Sequence, residues 1–446
     1  MPRRLALGAL GLLLLITPTS KLEGAVPPPE AKPLPRATEH AIASGSLATS
    51  ARVSGVPFAA TSGANGSDEE SPVSGRVIEL PEEIVRAGGV SFDDRGGVKF
   101  AVPSSETQRL PGGFADPLRF MQMMPGVTND SDFDGLLYVR GGDGGQNRIL
   151  LDRVSVSDAY HFGGVVSVLN TDVIDRLEFM PGGYTAEYGD ALSGVLSVKR
   201  RIGNVSDVRG TASLSVLTAN GTAEGPLGND AKGSWLVAAR RSFIDQVLEG
   251  RTAGPTALPS YWDMDARLFR RFGTHDVRVG FLRSGDRLSA RLSDTFTFTP
   301  AESSGLTWDR TMTLASLNWE HPGEIWNLSQ AIAYSWRDQS VDLLGGLPQH
   351  ASADTRAFDW RFDGKRPAGR VVWGTGAQLT HTHTIYDLDI NRLSVLEPDR
   401  RSNPRSPLDT ARVVTSYEGR NVYLAGYGQA DVALADSAVT VTAGVR

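Results

Sequence analysis

Between Trp326 and Trp336 apolar and polar side chains alternate with a period of two. Trp326, Leu328, Gln330, Ile332, Tyr334 and Trp336 fall on one side of an extended chain, and Asn327, Ser329, Ala331, Ala333, Ser335 and Arg337 fall on the other. Successive strand side chains point to opposite faces, so this is a strand with one apolar face ending in aromatics. A membrane β-strand needs roughly 9–11 residues with aromatics near its ends, and both are present here. Further runs share the character: Ser213–Thr218, Trp235–Arg241, Val277–Arg283, Met312–Glu320, Val371–Leu379, Asn421–Val432 and Val439–Val445. Polar stretches of uneven length separate them, such as Asp286–Glu302 and Asn391–Thr410. Short turns alternating with long loops are the habit of outer-membrane barrels. A soluble β-sandwich also explains the alternation, but not the paired aromatic ends.

Upstream, between Leu110 and Arg200, the pattern differs. Short apolar runs (Leu136–Val139, Ile149–Leu151, Leu177–Met180, Val195–Val198) alternate with glycine clusters. Such runs predict buried strands joined by tight turns. Val98–Val102 predicts the first strand of this unit, and Glu106–Leu110 leads toward a helix. Asp116-Pro117 opens LRFMQMM and Pro125-Gly126 closes it, giving an N-cap, a proline at the first helical position and a stop. Leu118, Met121 and Met124 recur at helical spacing. A methionine cluster can serve a metal or an apolar ligand, but core packing is its commoner use.

The first 25 residues carry an export signal: Arg3 and Arg4, then the apolar run Leu5–Ile16, too short to span a bilayer. The run places cleavage between Thr19 and Ala25. Residues 26–75 are rich in Pro, Ala, Ser, Gly and Thr, a composition that cannot bury enough apolar surface to offset chain entropy. The segment 76–97 is a lead-in to the unit that follows. The fold class is therefore an α+β unit over 98–200, followed by antiparallel transmembrane β-barrel strands over 201–446.

With no cysteine, disulfides and thiolate chemistry are excluded. The 45 basic and 51 acidic residues give a net charge of −6, spread along the chain without a nucleic-acid footprint. The loop Gly141–Gly145 lacks the lysine and Ser/Thr of a phosphate-binding P-loop. His381 and His383 share one strand face without an evident third metal ligand. No group of His, Ser and carboxylates has catalytic spacing. An enzyme, a cofactor and a metal site are not expected.

The glycine-rich unit resembles the plug domain of TonB-dependent outer-membrane transporters. The resemblance rests on the RLPG–helix–PGV order, Tyr138-Val139-Arg140-Gly141-Gly142, Ile149–Asp152, Ile174-Asp175-Arg176-Leu177-Glu178 and Tyr188–Gly194. The family has glycine after the LLD run, where this chain has Arg153. The resemblance implies a receptor that binds a scarce ligand outside the cell, with 76–97 as a periplasmic lead-in segment. An energy-transducing partner, TonB, pulls the N-terminal segment and shifts the plug. It implies a TonB contact by strand addition, for which Arg76–Leu80 offers Val77, Ile78, Glu79 and Leu80. Val77–Leu80 is alternatively the first strand of a small domain reaching Gly97. Arg140 and Arg176 are implied as plug–barrel ion pairs, or else as residues in solvent-filled gaps. The loop Asp158–Gly164 places Tyr160, His161 and Phe162 as ligand contacts at the plug apex, or as packing under the barrel rim. The implied partners are TonB, outer-membrane lipid and a siderophore, cobalamin, glycan or peptide ligand. A non-transporting adhesin or signalling receptor is the alternative. Plugged barrels of this family close with about 22 strands, whereas residues 201–446 suffice for about ten to twelve. The chain is therefore expected to be a fragment of a longer transporter.

Overall fold

A computed structural model describes residues 90–93, 97–104, 106, 116–129, 134–215, 218–248, 256–291, 305–344, 349–391, 412–434 and 439–446. The export signal, the linker and the Val77–Leu80 segment lie outside the described residues.

The inner unit contains β1 (Val90–Asp93), β2 (Gly97–Pro103), α1 (Pro117–Met121), β3 (Val127–Thr128), β4 (Tyr138–Val139), β5 (Arg148–Leu151), β6 (Val154–Ser155), β7 (Tyr160–His161), β8 (Val166–Ser167), β9 (Ile174–Met180) and β10 (Val195–Arg200). Six of these form one sheet in the order β1-β2-β9-β10-β5-β6, with β10 and β5 parallel and the other neighbours antiparallel. The helix begins as its sequence dictates: the Asp116 carboxylate accepts from the Leu118 N–H at 2.9 Å, and Pro117 follows the cap. Leu118 and Met121 are fully buried with Leu137, Leu177, Phe179 and Val198, so the methionine packs in the core.

The β5–β6 turn shows what became of the missing glycine. Asp152 and Arg153 both have positive φ, +47° and +75°, as a two-residue type I′ hairpin turn demands. Arginine accepts this conformation at a cost of roughly 1–2 kcal/mol, which glycine would not incur. The Arg153 side chain then reaches the surrounding wall.

That wall is a single eleven-stranded antiparallel meander in chain order. It runs through β11 (Arg209–Leu214), β12 (Thr218–Pro226), β13 (Gly233–Ser242), β14 (Thr256–Phe272), β15 (His275–Arg291), β16 (Gly305–Pro322), β17 (Asn327–Leu344), β18 (Gln349–Ala368), β19 (Val371–Asn391), β20 (Arg412–Leu434) and β21 (Val439–Val445), with a short helix, α2 (Ile244–Leu248), between β13 and β14. Within the described residues β11 and β21 each pair on one side only. Among the described residues no helix is long and apolar enough to cross a membrane.

The register separates two faces. Leu268, Val279, Leu317, Ile332 and Trp360 are direct cross-strand partners from one strand to the next, on the outer face. Met264, Leu268, Val279, Leu317, Tyr334, Phe358 and Trp373 are exposed there. This is the apolar exterior band of a membrane barrel, with aromatics near its borders. Ala331 and Ala333 point inward, 1% and 2% exposed, and their small size lets the inner unit pack close. The alternation read between Trp326 and Arg337 thus assigns lipid face and inner face as expected. The strand itself continues to Leu344, beyond the eleven residues that the pattern marked.

Two readings require correction. Ser213–Thr218 is not a strand: it straddles the β11–β12 hairpin, where the Ser215 N–H donates to the Thr218 carbonyl at 2.8 Å. The polar stretch from Asp286 onward is not wholly loop, since β15 extends to Arg291. Past the apolar band neither face needs hydrophobic residues, so strands continue on ladder bonds and exterior ion pairs such as Arg287–Asp309 at 2.6 Å. Periodicity is silent there.

Candidate functional site

Three clusters of charge join the inner unit to the wall, at different heights along the strands. The first centres on His161 in β7, which is fully buried. Its Nε2 lies 2.7 Å from Asp263 of β14, and its Nδ1 bonds to Asp286 of β15. Carboxylates only accept, so both ring nitrogens must carry a proton and the imidazole is a cation. Burial opposes that charge, but Asp263 and Asp286 outweigh it and raise the His161 pKa. Both carboxylates are shared: Arg240 of β13 bonds to Asp263 at 2.6 Å, and Arg310 of β16 forms an ion pair with Asp286 at 2.5 Å. Arg310 also reaches Asp158 at 2.5 Å, which Arg337 of β17 approaches at 3.4 Å. Above this chain the His161, Phe162 and Tyr261 rings pack together, and Phe162 meets Trp308 edge-on at 6.0 Å.

The second cluster is centred on Arg200 at the end of β10. Its guanidinium bonds to Asp152 at 2.6 Å and to Asp265 of β14 at 2.9 Å, while Arg267 approaches Asp152 at 3.1 Å. Burial would raise the Asp152 pKa, but Arg200 and Arg267 hold it below the ordinary value. In the third cluster Arg153 pairs with Asp363 of β18, and Arg361 bonds to the same carboxylate at 2.9 Å. Glu187 accepts from Lys365 at 2.7 Å and lies 3.5 Å from Arg361. Burial works against the Glu187 carboxylate, yet Lys365, Arg153 and Arg361 lower its pKa to about 2.

The residues expected from the sequence distribute differently from their assigned roles. Arg176 bonds to Glu178 of its own strand at 2.9 Å and to Asp175 at 3.4 Å, so it closes a pair inside the sheet. Arg140 is exposed at φ +51°, and its side chain lies over Gly126 and Gly182. Ion pairs to the wall fall instead on Asp152, Arg153, Asp158, His161, Glu187 and Arg200. Tyr160 and His161 are buried at the seam, with the Tyr160 carbonyl accepting from Arg310, whereas Phe162 is half-buried. Facing the wall, His161 is a seam residue and offers no ring nitrogen to an outside ligand. His381 and His383 do share a face, the outer one, and His383 Nε2 lies 2.8 Å from Glu418. Among the described residues no group of three or more metal-ligating side chains exists.

The wall residues of the seam were missed by sequence reasoning, although a signal was present. Asp263, Asp265 and Arg267 alternate with Trp262, Met264 and Ala266, and Arg361 and Asp363 alternate with Trp360 and Phe362. Charges at every second position opposite an apolar face must point into the lumen.

Residues 101–195 match the family model of the TonB-dependent receptor plug domain. The inner unit is such a plug. Solved structures agree on the fold of plug and barrel together. The ferric yersiniabactin uptake receptor FyuA from Yersinia pestis is 10% identical at a TM-score of 0.51, covering 76% of this chain and 63% of that one. A mutant of the ferric enterobactin receptor PfeA from Pseudomonas aeruginosa is 16% identical at 0.52, covering 78% and 56%. The copper transporter OprC is 12% identical at 0.54, covering 78% and 53%. The chain therefore shares the plug-and-barrel fold of these structures, and it spans between half and two thirds of their length. No curated protein matches the sequence.

Proposed function

We propose that this chain belongs to an outer-membrane receptor that takes up a scarce ligand by TonB-dependent transport. The observation that carries this reading is a plug held inside a lipid-facing wall by buried ion pairs. Such a seam seals the lumen at rest yet consists of discrete bonds that a directed pull can break in sequence. The export signal delivers the chain to the periplasm, and the wall inserts in the outer membrane. The lead-in around Val77, Ile78, Glu79 and Leu80 supplies the strand that TonB would grasp. Ligand contacts fall on the apex around Phe162, Tyr261 and Trp308. The solved structures of similar fold are described as receptors for ferric yersiniabactin and ferric enterobactin and as a copper transporter. A metal chelate or metal ion is accordingly the first ligand class to test.

The experiment is growth of a host lacking its own receptors on a panel of ferric siderophores, copper and cobalamin, with and without TonB. The receptor reading expects uptake of one ligand, lost when TonB is absent and when Ile78→Pro blocks strand pairing. Ligand binding without TonB-dependent uptake would overturn it in favour of a non-transporting surface protein.

A further inference from the structure

The seam encloses a cavity of about 280 Å³ between the plug sheet and strands β15, β16 and β18. Its lining carries seven basic side chains against four acidic ones. Several of the basic groups have partners: Lys99 with Glu178 at 2.9 Å, Arg278 with Glu320 at 2.7 Å and Lys365 with Glu187 at 2.7 Å. Others are left over. Lys199, half-buried on β10, makes no ion pair among the described residues. Asn318 on β16 is 3% exposed, and its buried amide oxygen has no hydrogen-bond partner; the buried Nε of Arg153 also lacks one. An unpartnered polar group in such a place costs free energy unless something else satisfies it.

We propose that this chamber binds a small multivalent oxyanion of the phosphate or polycarboxylate type. The excess of positive charge selects an anion. Lys199, Arg153 and Asn318 all line it, and Lys199 Nζ, Arg153 Nε and the Asn318 amide, whose oxygen and nitrogen can exchange places by a flip, are its candidate donors. The location fixes the side of entry. Glu320 and Lys365 lie within a few residues of the short turns that end β16 and β18, and Arg278 within a few of the turn that opens β15. Short turns of outer-membrane barrels face the periplasm, so the ion arrives from that compartment. This site lies below the apex, on the opposite side of the plug from an external ligand. The binding itself is independent of ligand uptake, whereas the side of entry rests on the outer-membrane reading under the proposed function.

The test uses the full chain in detergent, titrated with inorganic pyrophosphate at low salt and followed by calorimetry, with protease protection of the plug confirming its seating. Saturable binding is expected, weakened about 10-fold or more by Lys199→Gln and several-fold by Asn318→Leu, since each removes a donor to a charged group. Arg287→Gln, which alters a pair on the outer face of β15, leaves it unchanged. Should Lys199→Gln fail to fold, Lys199→Arg retains binding while Asn318→Leu weakens it. Absence of saturable binding, or equal weakening by Arg287→Gln, overturns the proposal.

Discussion

Replacing His161 by leucine tests whether the seam is held by charge. The imidazolium bridges Asp263 and Asp286, and all three side chains are buried. Leucine fills similar space but leaves two wall carboxylates relying on Arg240 and Arg310 alone. Removing one partner of a buried ionic pair costs about 3–5 kcal/mol, which corresponds to roughly a 10²–10⁴-fold rise in plug opening. The assay is hydrogen exchange of the β5–β8 amides in detergent, measured from mildly acidic to alkaline pH. The folded-state pKa of His161 is raised, so its contribution is fully present below the ordinary histidine value of about 6.5 and is lost as pH rises through the folded value. Wild-type protection of β7 should therefore decline toward alkaline pH, and the leucine variant should lack that decline. Glutamine, which retains one donor, should fall between them. Unchanged protection in His161→Leu, or an identical pH profile in both proteins, would refute the charged-imidazole reading.

Other consequences are equally direct. Arg153→Gly relieves the strained turn by about 1–2 kcal/mol but strips Asp363 of one cation; a net gain in plug protection would show that backbone strain outweighs the ion pair. Arg200→Met leaves Asp152 and Asp265 facing each other, and a double-mutant cycle with Asp265→Asn should return a coupling of about 1–3 kcal/mol. Leu317→Arg puts a charge in the exterior band and should reduce stability in lipid vesicles by about 2–4 kcal/mol, with little effect if that face is not against lipid.

The sequence by itself determined the classes of element and which face each would bury. Asp116-Pro117 set the helix start, and the period-two alternation of Trp326–Arg337 separated lipid side from lumen side, because both are local consequences of backbone geometry. The five motifs in order before Arg200 likewise marked the plug. The sequence could not say which charge would meet which. Arg140 and Arg176 stand in strand runs as plausible as that of Arg200, yet the sheet turns Arg176 onto Glu178 and leaves Arg140 exposed, while Arg200 meets a wall carboxylate. His161 pairs with residues more than a hundred positions away. Such pairings depend on strand register and on how the plug sits inside the wall. Those are settled by packing over the whole domain, where a charge is tolerated only if its partner arrives from another strand at the same height.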